Sequence, residues 1–543
     1  MRPVSLFVLP RELRDLIYAF YVSIDGGYVC DTESFIRGKL KGAKGDRIHL
    51  SLVYTCKRVA EEMDRGGLAL RLNTITFSPI SEESLGWLAG SFQRKKDALD
   101  RTRLAMLQTV GYRIPDAVYS EMATAYPRLL PLLDRLKREG RRSSLEATLL
   151  AMERRGPYGE APSVYREFVK DVLQKSSTCD SKFQDAVRNY WPEVVERTPD
   201  RRVWNPFSIV YSTIEPWTIP SDTQMRRLES ELPVHQSHRV CLEAYRSIYR
   251  FSAAAAAIYF LEAIPHENRT HLRKIILDEK NEAVSNPECH ARGLIPFCQE
   301  YPLLRIERRV SLWRNIFQED VNYLDPERRC VLKDRPTPAF LNSDQITGNV
   351  ASWIVEAMAL VPAGMPAKSF SLLLDGDPAP TLCSEMFQCI VQRDVAWQLA
   401  WDMSLKKKLL PEITWFEKKG ESVIRHGHYT NTDVHQHQRF PSLRKGFWGY
   451  FFEDFPQGFS NIGKESFPVH CNFDTGIACD VEDIVMQHGR WDMRKWEQEW
   501  FRHQPPWWET APPLPEWMAL LEENVMEDMK YMPYLKRMNG LLA

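Results

Sequence analysis

Two segments far apart in the chain carry the same apolar spacing, Leu72-x-x-Ile75-x-Phe77 and Leu272-x-x-Ile275-x-Leu277. Alternate residues of an extended backbone point to one side, so both read as strands with one buried face. Such a strand needs neighbours to pair with and a layer to cover it. Helical signals supply that layer. A helix over Val240–Ile264 leads into the second segment, and a helix over Ala291–Glu300 precedes another strand-like run at Ile306–Trp313. Ser369–Leu374 is a further run, ended by the turn Asp375-Gly-Asp-Pro378. Ile275 to Val310 is 35 residues, and no third copy falls in register, so a degenerate repeat sheet is the weaker alternative. The expected class is α+β, predominantly helical, with an N-terminal helical module joined to a large mixed body.

Composition narrows the function classes. Of 543 residues, 44% are hydrophobic and 26% charged, which excludes a wholly disordered or fibrous chain. Lys plus Arg total 71 against 72 for Asp plus Glu, a balance without the charge footprint of a nucleic-acid binder. The most apolar run, Phe251–Ile264, is 14 residues long and includes Glu262, too short for a bilayer. Pro10 and Arg11 cut off the N-terminal apolar stretch before a signal-peptide core forms. Eleven cysteines without regular spacing suggest reduced thiols, hence cytoplasm or nucleus. Breaks in pattern divide the chain into an N-terminal module (1–80), a helical region (81–200), a mixed helix/strand domain (201–380) and a Trp-rich helical region (381–543). In the last, Trp491, Trp496, Trp500, Trp507, Trp508 and Trp517 are expected chiefly in the core, with a partner surface as the alternative.

The N-terminus is the most patterned stretch. Leu13, Leu16, Ile17 and Phe20 lie at i, i+3, i+4 and i+7, one apolar helical stripe, with Pro10 suited to the first turn. Gly26-Gly27 ends that helix, and a second one around Leu50–Met63 places Leu52, Val53, Cys56, Val59 and Met63 on one side.

These residues carry a resemblance. Leu9-Pro10-x-Glu12-Leu13-Arg14-x-x-Ile17-Tyr18 resembles the opening of the F-box-like domains of filamentous fungi, and Thr55-Cys56-Lys-Arg-Val59-Ala-Glu-Glu62 resembles their second helix. Asn73-Thr74-x-Thr-Phe77 is similar to the strand that follows, so the likeness covers roughly residues 4 to 80. The block Pro287–Asn315 is similar to uncharacterised fungal proteins with this module, and the repeated strand spacing resembles leucine-rich-repeat strands. The F-box resemblance implies a protein partner, a Skp-type linker of a ubiquitin ligase, met by apolar groove filling. The implied partner-binding residues are Leu9, Pro10, Leu13, Ile17, Val53 and Val59. One departure stands out: an F-box has no insert as long as Asp25–Arg47. The competing reading is an architectural protein whose F-box-like helices pack internally.

Chemistry-bearing residues form no constellation. His426, His428, His435 and His437, with Asp433, are the one group that can be read as zinc ligands, but they sit in a polar stretch without cysteine. A metal-binding enzyme is therefore the third reading. His235 and His238 suit a capping role. Cys289 and His290 are adjacent, and adjacent side chains rarely form a nucleophile–base pair. Arg305, Arg308 and Arg309, near Glu300 and Glu307, read as a solvated or ion-paired face. No phosphate loop, nucleophile elbow or H-E-x-x-H motif occurs. The expectation is a non-enzymatic interaction protein with no cofactor, no resident metal, no membrane contact and no nucleic acid.

Overall fold

The computed structural model describes residues 6–45, 48–139, 157–190, 204–233, 248–318, 341–410, 449–502, 505 and 507–524. Its strands are β1 (Tyr28–Cys30), β2 (Lys41–Gly42), β3 (Ile75–Phe77), β4 (Lys274–Glu279), β5 (Arg305–Ser311), β6 (Leu341–Asn342), β7 (Phe370–Asp375), β8 (Val469–Cys471) and β9 (Trp507–Trp508). The two like-spaced segments are neighbours: β3 pairs with β4 in parallel, Ile75 opposite Ile275 and Phe77 opposite Leu277. They belong to a seven-stranded sheet of order β2-β1-β3-β4-β5-β7-β8, in which only β2 runs antiparallel. The short β6–β9 pair stands apart.

From β1 to β8 the parallel strands follow one another in chain order. Right-handed crossovers that always advance in one direction return on the same side, so the connections gather on one face. Burial agrees. Ile275, Leu277 and Glu279 are buried while Ile276 and Asp278 are half-buried, and the same alternation runs through β5 and β7. The covered face is built of columns: Tyr28, Ile75, Ile275, Ile306 and Phe370 in one, Cys30, Phe77, Leu277, Arg308, Leu372 and Val469 in the next.

The helices used below are α1 (Arg11–Val22), α2 (Thr32–Arg37), α3 (Lys57–Glu62), α4 (Gly67–Leu72), α5 (Glu83–Val110), α6 (Pro162–Cys179), α7 (Ala253–Ala263), α8 (Ser343–Ala359), α9 (Gln392–Lys406) and α10 (Met493–Arg502). Helix α7 packs on β3, β4 and the segment Pro287–Leu294, so that Ala253–Ala257 are buried all round the helix. Ser252 caps it, its hydroxyl accepting from Ala255 N at 2.9 Å; residues 240–247 of the expected longer helix lie outside the described residues. The architecture is predominantly helical α+β. Among the described residues no helix is long and apolar enough to cross a membrane.

The sheet runs across the expected division of the chain. It draws β1–β3 from residues 1–80, β4, β5 and β7 from 201–380, and β8 from 381–543, so those boundaries do not separate independent cores. The insert Asp25–Arg47 supplies β1, α2 and β2, the sheet's first edge. The tryptophans divide as follows. Trp496, Trp500 and Trp517 are buried, Trp491 and Trp508 half-buried, and Trp507 exposed. Trp496 meets Trp397 and Trp401 edge-on, joining α10 to α9.

Arg308 is the exception in its apolar column. It is 1% exposed and donates to Glu279 Oε1 from Nε (3.1 Å) and Nη2 (2.7 Å), with Trp353 stacked 4.6 Å away. Glu279 in turn accepts from Ala253 N (2.9 Å) and Ala254 N (3.2 Å), a carboxylate at the N-terminus of α7. The expected ion-paired face is thus ion-paired but not solvated at Arg308.

Candidate protein-interaction surface

Helix α1 faces the opposite way from what its apolar stripe alone dictates. Its buried residues are Arg14, Tyr18 and Val22, spaced i, i+4 and i+8. Leu13 (46% exposed), Leu16 (56%), Ile17 (39%) and Phe20 (82%) face outward. Val8, in the preceding turn, and Tyr54 are also exposed.

A polar latch sets this orientation. Arg14 grips Glu62 in α3 with two bonds, Nε to Oε2 at 2.9 Å and Nη2 to Oε1 at 2.7 Å. Tyr18 Oη donates to Glu62 Oε2 at 2.7 Å, and Arg58 Nε donates to Oε1 at 3.0 Å. Glu62 keeps 7% of its side-chain surface exposed, so nearly all its acceptor capacity is met by protein. The Arg14 guanidinium, with Tyr18 and Arg58, holds the Glu62 carboxyl down at about 2. Arg14 Nη1 also donates to the Leu9 carbonyl at 2.5 Å, fixing the entry turn.

Asn73 secures the other end. Its Oδ1 accepts from Ile24 N at 2.9 Å, and its Nδ2 donates to the carbonyls of Val22 and Ala69, each at 2.8 Å. Helix α1 is therefore pinned at both ends by side chains from α3 and the turn before β3.

The six residues implied by the resemblance separate. Leu13, Ile17 and Pro10 are exposed, and Leu9 is half-buried. Val53 and Val59 are 6% and 2% exposed, core residues beneath the module, which corrects their reading as contact residues. Leu16 and Phe20 extend the exposed stripe of α1, and Val8 and Tyr54 are exposed apolar residues of the same module. The latch residues Arg14, Tyr18 and Glu62 are letters of the two quoted signatures, so the signal was present but carried no assignment of face.

Elsewhere, side chains with candidate chemistry are structural. Cys289 Sγ turns to the Asn286 carbonyl (3.2 Å), and burial pushes its thiol up to about 12. His290 does not meet it. Its Nε2–H donates to the Ser285 carbonyl (2.9 Å), leaving Nδ1 to accept from Ser252 Oγ (2.7 Å), and burial lowers the imidazole to about 3. Asp375 Oδ1 accepts from Asp377 N and Asn472 Nδ2, closing a turn. His235, His238, His426, His428, Asp433, His435 and His437 lie outside the described residues; among those described, no three His, Cys, Asp or Glu side chains converge as metal ligands. Comparison with protein-family models, with curated proteins and with solved structures returns no match for this chain.

Proposed function

We propose that this chain is a non-enzymatic protein-interaction protein, an adaptor whose α1 docks a Skp-type linker of a ubiquitin ligase while its central and C-terminal regions select a target. The observation that carries the reading is the outward stripe of Leu13, Leu16, Ile17 and Phe20 on a helix held rigid from behind. Contiguous apolar surface on a fixed element is what partner recognition uses. The choice of partner rests on the resemblance of Leu9–Tyr18 and Thr55–Glu62 to F-box-like signatures.

Co-purification of the full chain with a Skp-type linker tests this. Wild type is expected to retain the linker, and the Leu13→Asp/Ile17→Asp variant to lose it with an unchanged melting temperature. Absence of binding by wild type overturns the proposal.

A second reading has its own support. The insert's strands join the sheet, and Tyr18, Val53 and Val59 are core, which supports an architectural reading of the module. If that is its whole role, wild type retains no linker, and only substitutions of the buried face, such as Val59→Asp, lower the melting temperature.

A further inference from the structure

Between the helical layer and the sheet lies a buried polar cluster that the interaction surface does not use. The segment Pro287–Leu294 crosses it, packed on α7 and α8, with Arg166 and Glu167 of α6 reaching its side chains. Most of its charges have committed partners. Arg308 is engaged by Glu279, Lys96 by Asp100, which Arg103 also approaches, and Arg292 by Glu167. Glu356 in α8 has both oxygens occupied by Ser163: the backbone N–H donates to Oε1 at 2.7 Å and the hydroxyl to Oε2 at 2.6 Å.

Glu288 is different. Its side chain is 4% exposed, its Oε2 is buried without a hydrogen-bond donor, and Arg166 Nη2 comes no closer to Oε1 than 3.9 Å. That Arg166 nitrogen is likewise buried without an acceptor. The Arg166 guanidinium feels the charges of Glu288, Glu356 and Asp100 together. A buried carboxylate oxygen with neither donor nor close cation is expensive when charged and inexpensive when protonated.

We propose that Glu288 is an internal proton-binding site, holding a proton under conditions in which surface carboxylates are ionised. The proton settles on Glu288 because Glu356 is already supplied with two donors. The neighbours from every packed element agree with the assignment. Burial and the Glu356 charge push the Glu288 carboxyl up to about 7, against the opposing pull of Arg166, its own backbone N–H and Arg308. Lys96, Asp100 and Arg103 of α5 satisfy one another, Cys289 is a thiol, and His290 is neutral.

The sign follows from linkage. A carboxyl raised from 4.5 to about 7 contributes stability that is full below 4.5 and lost as pH rises through about 7. Proton release would therefore loosen the contact of Pro287–Leu294 with α6 and α8 above neutrality.

The test uses the full chain, following the carboxylic-acid C=O stretch by infrared difference spectroscopy across pH 6 to 9 beside the melting temperature. Wild type should show a protonated carboxyl band that disappears through this range and a falling melting temperature. Glu288→Gln should lack the band, and its melting temperature should fall less. A wild type without the band, or a Glu288→Gln variant that keeps it, overturns the proposal. If Glu288→Gln does not fold, Glu356→Gln decides: removing the like charge should move the midpoint of the band to lower pH, and an unmoved midpoint refutes the site.

Discussion

Replacing Arg308 with leucine separates two accounts of what holds the sheet. Arg308 lies in an apolar column between Leu277 and Leu372, and by strand pattern alone leucine is the expected residue there. In the structure, however, Arg308 neutralises Glu279, which is 0% exposed, and also donates to the carbonyls of Pro287 (2.8 Å) and Glu288 (3.3 Å). Removing one member of a buried pair costs about 3–5 kcal/mol, because the remaining charge is stranded. A leucine filling the column returns roughly 1–2 kcal/mol of apolar burial, for a net loss of about 1–4 kcal/mol. The stranded charge is the larger contribution, so Glu279→Gln/Arg308→Leu should recover at least half of the loss while keeping a side-chain acceptor for the N-terminus of α7. Urea unfolding followed by tryptophan fluorescence reads both variants, with Trp353 stacked on the guanidinium as a local reporter. An Arg308→Leu midpoint equal to wild type refutes the reasoning, as does a double variant no more stable than the single one.

Two other outcomes follow from the N-terminal module. Gly27 has φ +72°, and a Cβ there would lie 2.3 Å from the Thr74 carbonyl oxygen that accepts from Tyr28 N. Gly38 has φ +62° with nothing within 4 Å. Gly38→Ala should therefore cost only the left-handed penalty, about 1–2 kcal/mol, and Gly27→Ala clearly more; equal losses in urea midpoint would discount the close approach of β1 to β3. The Glu62 latch sets an acid limit. A carboxyl lowered from 4.5 to about 2 contributes stability above 4.5 that is lost as pH falls toward 2, so amide protection of α1 should drop across that window. Glu62→Gln should show weakened protection already at pH 7 and a shallower acid drop, as measured by hydrogen exchange; a wild-type profile in the variant argues against the latch.

The strands that advertise themselves in the sequence are those whose columns are apolar throughout. Leu72–Phe77 and Leu272–Leu277 share a spacing because Ile75 and Phe77 lie beside Ile275 and Leu277. The next strand breaks the pattern at Arg308, so Ile306 and Val310 appear as a run without a matching partner. The 35-residue interval from Ile275 to Val310 hid the relation further, since pairing register depends on Ile306, not Val310, standing opposite Ile275. The parallel, chain-ordered sheet was therefore only partly legible. Its first edge was illegible altogether, because β1 and β2 are three and two residues long and lie in a stretch whose Gly and Lys content signals a loop. The tryptophans were clearer: Trp496 and Trp500, four apart on α10, are both buried, as helical spacing predicts.

Helix α1 shows where periodicity gives the right element and the wrong face. An apolar stripe at i, i+3, i+4 and i+7 normally turns inward, and fully burying a side chain such as Leu, Ile or Phe is worth about 1.5–3 kcal/mol. The opposite face instead carries Arg14 and Tyr18, and both need Glu62. Neither signature alone specifies that contact, for Arg14 and Tyr18 belong to the first and Glu62 to the second. Together they form one three-residue latch, which supplies a physical reason for the two signatures to occur as a pair. Turned inward, the stripe would gain apolar burial but give up that of Tyr18 and Val22 together with the Glu62 latch. The latch and the burial of Tyr18 and Val22 thus hold Leu13, Leu16, Ile17 and Phe20 outside, at the cost of leaving four apolar side chains in water. The proposed partner would cover that face, which is what an apolar stripe held outward by buried charged groups would serve.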